Sequence, residues 1–276
     1  MTLEFTALEL RFRAESRIRF PPGRAANILR GTLGKAGFGE AEFNRFFKPR
    51  LGDGPSGLKD PPRPFVLRVA HLDGVSLECG ETFAVRMNVF AGGACEFLAR
   101  AAAAAARQGW GPERGTAELA AAEQKRFVLP LVAAGHPVSR LTVRFLTPTE
   151  LKGDGGLAPR PEFGVLFARL RDRISTLRAV YGPGPLDLDF AAWGERAARV
   201  RMVRCDVRQV ASARRSSGTG QTHPLGGFVG EAVYEGDLED FLPFLRAGFW
   251  TGVGRQTVWG HGQIEVEEDS LTFSGS

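Results

Sequence analysis

The chain has 276 residues, 43% of them hydrophobic, with 36 Lys and Arg against 31 Asp and Glu and a formal net charge of +5. This is the composition of a globular protein, long enough for two ordinary domains and a sizeable core. It excludes a membrane-spanning chain, because no apolar run approaches the roughly 18 residues that a spanning helix needs. The start, MTLEFTALEL, lacks the basic and apolar stretches of a signal peptide. Cys79, Cys95 and Cys205 are scattered, odd in number and without metal-ligand spacing. A reduced, cytoplasmic protein with free thiols and no zinc site is expected.

In chain order, LEFTALELRFRAESRIRF alternates apolar and polar residues and reads as one or two strands, broken at Pro21, Pro22 and Gly23. AANILRGTLGKAG sets Ile28, Leu29 and Leu33 at helical spacing. Residues 65–90 supply further strands around a turn at Asp73 and Gly74, and ACEFLARAAAAAARQG is a second helix stopped by Gly109. EQKRFVLPLV closes this half as a strand. The order then repeats. RLTVRFLTPTEL is a strand with Leu141, Val143 and Phe145 on one face, and residues 163–182 are a helix with Leu166, Leu170, Ile174 and Leu177 on one side. ARVRMVRCDVRQV and GGFVGEAVYEG are strands around the polar loop ASARRSSGTGQTHPLGG. DLEDFLPFLRAG is a short helix with Pro243 in its first turn, Asp240 as its cap and Gly248 as its stop, and QIEVEE ends the pattern as a strand.

Strand, helix, strands, helix, strand, twice over, is the order of two tandem ferredoxin-like domains with antiparallel sheets, an α+β fold. The expected domains are residues 1–134 and 138–276, with the boundary at VAAGHPV. A single α+β domain without a true repeat is the alternative.

Two features point to a ligand. Only five of the 36 basic residues are lysine, and Arg199, Arg201, Arg204, Arg208, Arg214 and Arg215 fall close together, opposed locally only by Asp206. Arginine suits bidentate phosphate contacts, and such clustering suggests a polyanion, although arginine-rich codon usage raises the count by itself. The second feature is GVGRQTVWGHG at residues 252–262, two spaced glycine pairs around five residues that include Arg255. Glycine reaches positive φ freely and lets a backbone approach, so such a loop can turn N–H groups towards a phosphate. A tight turn with no ligand is the alternative reading of the glycines.

The glycine stretch fits G-h-G-x5-G-h-G, and so resembles the C-terminal glycine-rich loop of the RAMP superfamily of RNA-binding CRISPR proteins. Within it the similarity is to the Cas six type endoribonucleases, carried also by LRGTLGKAGFG, LTVRFLTPTEL and residues 223–254. His261 departs from that pattern, which prefers an apolar residue there. The resemblance implies CRISPR repeat RNA as partner, with other CRISPR effector subunits as further partners. It implies RNA contacts from Gly252, Gly254, Arg255, Gly260 and Gly262, and from Arg24, Arg208, Arg214 and Arg215. It also implies cleavage without a metal: a ribose 2′-OH attacks the adjacent phosphorus, leaving a 2′,3′-cyclic phosphate and a 5′-OH.

That reaction needs a base, an acid and positive charge on the phosphorane. Many members carry a histidine near the first helix, but here residues 24–39 hold only Arg24, Arg30 and Lys35 as basic groups and no histidine. The catalytic candidates are therefore Lys35, His223 in the polar loop, and Arg30 as a charge stabiliser. Lys35 and Arg30 also read as plain solvated helix residues. No P-loop, dinucleotide fingerprint or paired-histidine motif is present, so neither a cofactor nor a metal is expected. Two other functions stay open: a non-catalytic RNA-holding subunit, and an enzyme with a small anionic substrate at the glycine loop.

Overall fold

The computed structural model describes residues 1–34, 39–49, 61–153, 155–210, 213–215, 222–224 and 226–268, with backbone alone at Glu40, 213–215 and 222–224. The first strand, β1 (Thr2–Ala14), changes its inward parity midway: Leu3 and Phe5 are buried, then Leu8, Leu10, Phe12 and Ala14. Odd and even residues point to opposite faces of a sheet. The two sets accordingly enter different cores, the odd pair joining the second half's cluster and the even set the first half's.

Helices α1 (Ala25–Leu33) and α2 (Glu40–Phe47) follow, then β2 (Phe65–Leu67), β3 (Thr82–Val89), α3 (Ala94–Gln108) and β4 (Ala117–Pro130). The strands form one antiparallel sheet in the order β2-β3-β1-β4. The second half runs β5 (Arg140–Thr149), α4 (Phe163–Tyr181), α5 (Phe190–Arg199), β6 (Arg201–Val210), β7 (Gly227–Glu235), α6 (Leu242–Thr251) and β8 (Ile264–Glu268). Its antiparallel sheet has the order β6-β7-β5-β8, the same second-third-first-fourth sequence. This is the ferredoxin-like order in both halves, as the sequence pattern predicts.

The expected helix faces hold. Leu29 and Leu33 of α1 are buried, as are Leu166, Leu170, Ile174 and Leu177 of α4. Three readings near the helices are corrected. Gly248 does not stop α6, which continues to Thr251. A Cβ at Gly248 would lie 2.6 Å from Ile264 Cδ1, so the glycine instead lets β8 pack close against the helix. Asp240 does not cap α6 either. Phe241 holds the cap position without a side-chain bond, and Asp240 accepts from Arg196 at 2.6 Å. The polar stretch after β6, read as a loop, contains a short antiparallel pairing of Ala213–Arg215 with Thr222–Pro224.

The join between the halves is built around the C-terminal end of α6. The exposed carbonyls of a helix end carry partial negative charge and favour cations. Arg68, which follows β2, donates to Phe249 O at 2.5 Å and lies 4.2 Å from the Phe249 ring centroid. Asn88 of β3 donates to Trp250 O at 2.7 Å, and Arg173 of α4 to Thr251 O at 2.7 Å. Burial draws both guanidinium groups down to about 10, so each remains charged at neutral pH. Trp250 closes the join, its ring centroid 5.0 Å from those of Phe5 and Phe127. The end of α6, and the glycine loop that leaves it, are thus tied to the first half.

Candidate functional site

The glycine loop begins where α6 stops. All four glycines have positive φ, at +66° (Gly252), +77° (Gly254), +76° (Gly260) and +69° (Gly262). The reason is local crowding. A Cβ on Gly254 would lie 2.3 Å from Glu150 O, and one on Gly262 would lie 2.0 Å from Val253 O. No real Cβ tolerates either distance. The loop folds onto itself and onto the end of β5: Val253 N donates to Gly262 O, Arg255 N to Glu150 O, and Gly262 N to Pro148 O. Much of its N–H capacity is therefore spent on the protein's own carbonyls. Arg255 is likewise engaged, pairing with Glu150 at 3.0 Å while its own side chain remains 57% exposed.

The loop then crosses to the first half. A one-turn 3-10 helix, Thr257–Trp259, carries Val258 against the first core and Trp259 against α1. The Arg30 guanidinium lies 5.3 Å from the Trp259 ring centroid and 4.4 Å from that of Phe47 in α2. Gln263 donates to Leu67 O at 3.3 Å, linking the loop's exit to β2. Arg30, a candidate charge stabiliser with a solvated helix residue as the alternative reading, is a half-buried cation between aromatic rings from α2 and the glycine loop. Arginine stacks well on such faces.

A cavity of about 240 Å³ lies where the loop meets α1, walled by Gly23 and Ala26, by Asp73, by Thr147 and Pro148 of β5, and by Trp259, Gly260 and His261. Asp73 accepts from Ala25 N at 2.8 Å and so caps α1 from 48 residues away. Arg24 occupies the cap position itself and is exposed beside the cavity's Gly23 wall. The volume falls below the roughly 300–1,000 Å³ of small-molecule sites. His261 enters this wall with its Nδ1 buried and without a hydrogen-bond partner among the described residues. Burial holds its imidazole below the ordinary histidine range, hence neutral at pH 7.

The other expected residues are spread more widely. Arg208 is exposed on β6. Arg214 pairs in register with His223 across the short hairpin, next to Arg215 with Thr222. Lys35 lies outside the described residues. His136 bonds Glu268 at 2.7 Å, and His71 bonds Ala84 O at 3.0 Å. The arginine run is less uncompensated than the local sequence implies. Arg201 pairs with Glu235 at 3.0 Å, and Arg204 pairs with both Asp206 and Glu231. Glu231 and Glu235 stand on the neighbouring strand β7, which a reading along the chain does not place beside β6. Among the described residues no group of three or more His, Cys, Asp or Glu is placed to hold a metal ion, and no helix is long and apolar enough to cross a membrane.

Sequence reasoning passed over two features of this site. His261 stood out only as a departure from the family pattern, and its place on a cavity wall beside α1 has no sequence signal. Helix α2 did have one, since Phe43, Phe46 and Phe47 in EAEFNRFF recur at helical spacing.

Two tandem ferredoxin-like halves, with a glycine-rich loop from the second closing a cavity against the first helix of the first, define the class. Residues 143–264 match the sequence profile of the family described as CRISPR-associated endoribonuclease Cas6. The resemblance read from the sequence is thereby borne out. Solved Cas6 structures share the fold across nearly the whole chain. A Cas6 product complex has a TM-score of 0.60 at 20% identity, covering 96% of this chain and 99% of its own. A second Cas6 product complex gives 0.58 at 22%, covering 96% and 100%. Thermus thermophilus Cas6 gives 0.58 at 17%, covering 97% and 99%. No curated protein matches the chain by sequence.

Proposed function

We propose that this protein processes CRISPR precursor RNA by cutting within its repeat, without a metal ion, through attack of a ribose 2′-OH on the adjacent phosphorus. The observation that carries the reading is the profile match at residues 143–264, which takes in the whole glycine loop, together with the cavity that this loop closes against α1. RNA is the proposed partner; solved Cas6 structures include complexes with a product and with a substrate mimic. The phosphate contacts proposed are Arg24 at the cavity edge, Arg255 and the glycine loop, and Arg208, Arg214 and Arg215 on β6 and its hairpin. Of the expected glycines, Gly252, Gly260 and Gly262 already donate their N–H groups to the Gly248, Thr257 and Pro148 carbonyls, so they shape the loop and Gly254 is the one proposed to donate to phosphate. Arg30 on α1 and Lys35, which lies outside the described residues, are proposed to supply positive charge to the phosphorane, and His223 is the titratable group on the hairpin.

Each neutralised phosphate contributes a slope of roughly −0.7 to −0.9 in log K against log salt, so a binding groove of this kind gives steep salt dependence. The decisive test is the repeat RNA encoded beside the gene, incubated with the protein in excess chelator. Cleavage is expected, and a single 2′-deoxy substitution before the scissile phosphate should abolish it while sparing binding. Binding of the uncut repeat without cleavage would make this a subunit that only holds RNA. Efficient cutting of the deoxy substrate, or inhibition by the chelator, would exclude the mechanism.

A further inference from the structure

We propose that His261 accepts the proton of the attacking 2′-hydroxyl, taking the part for which α1 supplies no histidine; this rests on the cleavage reading above. Three observations converge on it. The first is position. Of the histidines whose side chains are described, His71 and His136 are tied to Ala84 O and Glu268, whereas His261 lines the cavity between the two halves.

The second is an unmet hydrogen bond. A buried polar atom left unpaired costs free energy, and native folds leave few of them without a reason. Among the described residues the Nδ1 of His261 is such an atom. A histidine kept for structure is ordinarily held by bonds that set its tautomer and ring orientation. A ribose hydroxyl entering the cavity is a donor that complements a neutral imidazole. The third is how the ring is held. His261 sits between Gly260 and Gly262, both in the left-handed region, with Gly262 N bonded to Pro148 O. That backbone fixes where the residue stands on the cavity wall. Burial also keeps the ring unprotonated at neutral pH, the state a base requires.

The step balances without further reagents. The 2′-O–H proton moves to the imidazole as the 2′-oxygen bonds to phosphorus. The P–O5′ bond breaks, the leaving 5′-oxygen takes a proton from water, and the imidazolium returns its proton to solvent. Arg24 and Arg30 lie on the α1 side, where charge builds on the phosphorane oxygens.

The test uses single-turnover cleavage of repeat RNA at saturating full-length protein. His261→Asn and His261→Ala are each expected to slow cleavage by about 100-fold or more, the usual range for a lost general base, with repeat affinity within about threefold of the parent. Added imidazole should restore part of the rate to His261→Ala. In the parent the rate should be flat near neutrality and fall as pH drops through a value below the ordinary imidazole range; His261→Asn should lack that limb. The parent profile needs no variant, so it tests the assignment even if neither variant folds, and a parent rate without an acid limb overturns it. Variants that bind and cut like the parent overturn it too. So does a rate loss matched by an equal affinity loss with no imidazole rescue, which would mark His261 as a filler of the loop. A parent that leaves the repeat uncut overturns the cleavage reading and this assignment together.

Discussion

The last helix of each half ends in a glycine-rich turn, and the two turns go to different places. After α3, Trp110 and Gly115 bond each other's backbone at 2.8 and 3.0 Å, and Trp110 donates to Thr32 Oγ1 at 3.0 Å, all within the first half. A Cβ on Gly115 would lie 2.0 Å from Arg17 O, also in the first half. After α6, residues 252–262 are equally crowded, yet they leave their own half. Gly260 lies beside Ala26 and Leu67, and Trp259 lies over Arg30. Glycine density therefore reports close backbone approach in both turns. What makes the second a candidate site is its reach across the join, which creates a cavity with walls from both halves.

The largest effect expected from breaking this pattern is steric. Gly262→Ala and Gly115→Ala should each destabilise the fold by about 2–4 kcal/mol in urea unfolding, since each places a methyl group against a carbonyl oxygen. Only Gly262→Ala should also lower repeat cleavage per folded molecule. Equal losses of activity from both variants would erase the distinction between the turns.

A smaller effect is expected at the join. Arg68→Met keeps an apolar stem over Phe249 but leaves the Phe249 carbonyl without its charged donor. A loss of about 2 kcal/mol is expected in the same unfolding measurement. If stability is unchanged, the arginine bond across the join adds nothing to the loop's placement.

The smallest effect compares one arginine from each turn. Arg114 donates to Gln108 O at 2.9 Å, within its own turn, whereas Arg255 pairs with Glu150 beside the site. Arg255→Ala should weaken repeat binding about two- to fivefold, or about 0.5–1 kcal/mol, because the contact is exposed and already shared with a carboxylate. Arg114→Ala should leave binding unchanged in the same filter or anisotropy titration. A matching loss from both would mean that arginine near the RNA acts only through bulk charge.

Periodicity along the chain was enough to determine the repeated strand and helix order, because period-2 and period-3.6 patterns encode which face of an element is buried. Leu141, Val143 and Phe145 on β5, and the four apolar residues along α4, needed no other information. The parity switch in β1 was written there too, in Leu3 and Phe5 against Leu8, Leu10 and Phe12, but its meaning depends on a second core that packs on the sheet's other face. Helix α5 was missed although Asp189 caps it, accepting from Ala191 N and Ala192 N at 3.0 Å, since a ten-residue helix beside a glycine- and proline-rich turn gives a short signal.

The site divides the same way. The spacing of the four glycines marked the loop, because positive φ and close approach select glycine by local sterics alone. Its destination was decided only in three dimensions. Arg30 meets Trp259 across 229 residues of chain, Asp73 caps a helix 48 residues earlier, and Glu231 and Glu235 neutralise arginines of the adjacent strand. A sequence read by itself records what each residue prefers over a turn or two of backbone. Which preferences meet at one cavity, and that His261 comes to line it beside residues of α1, follows from the packing of the two halves against each other.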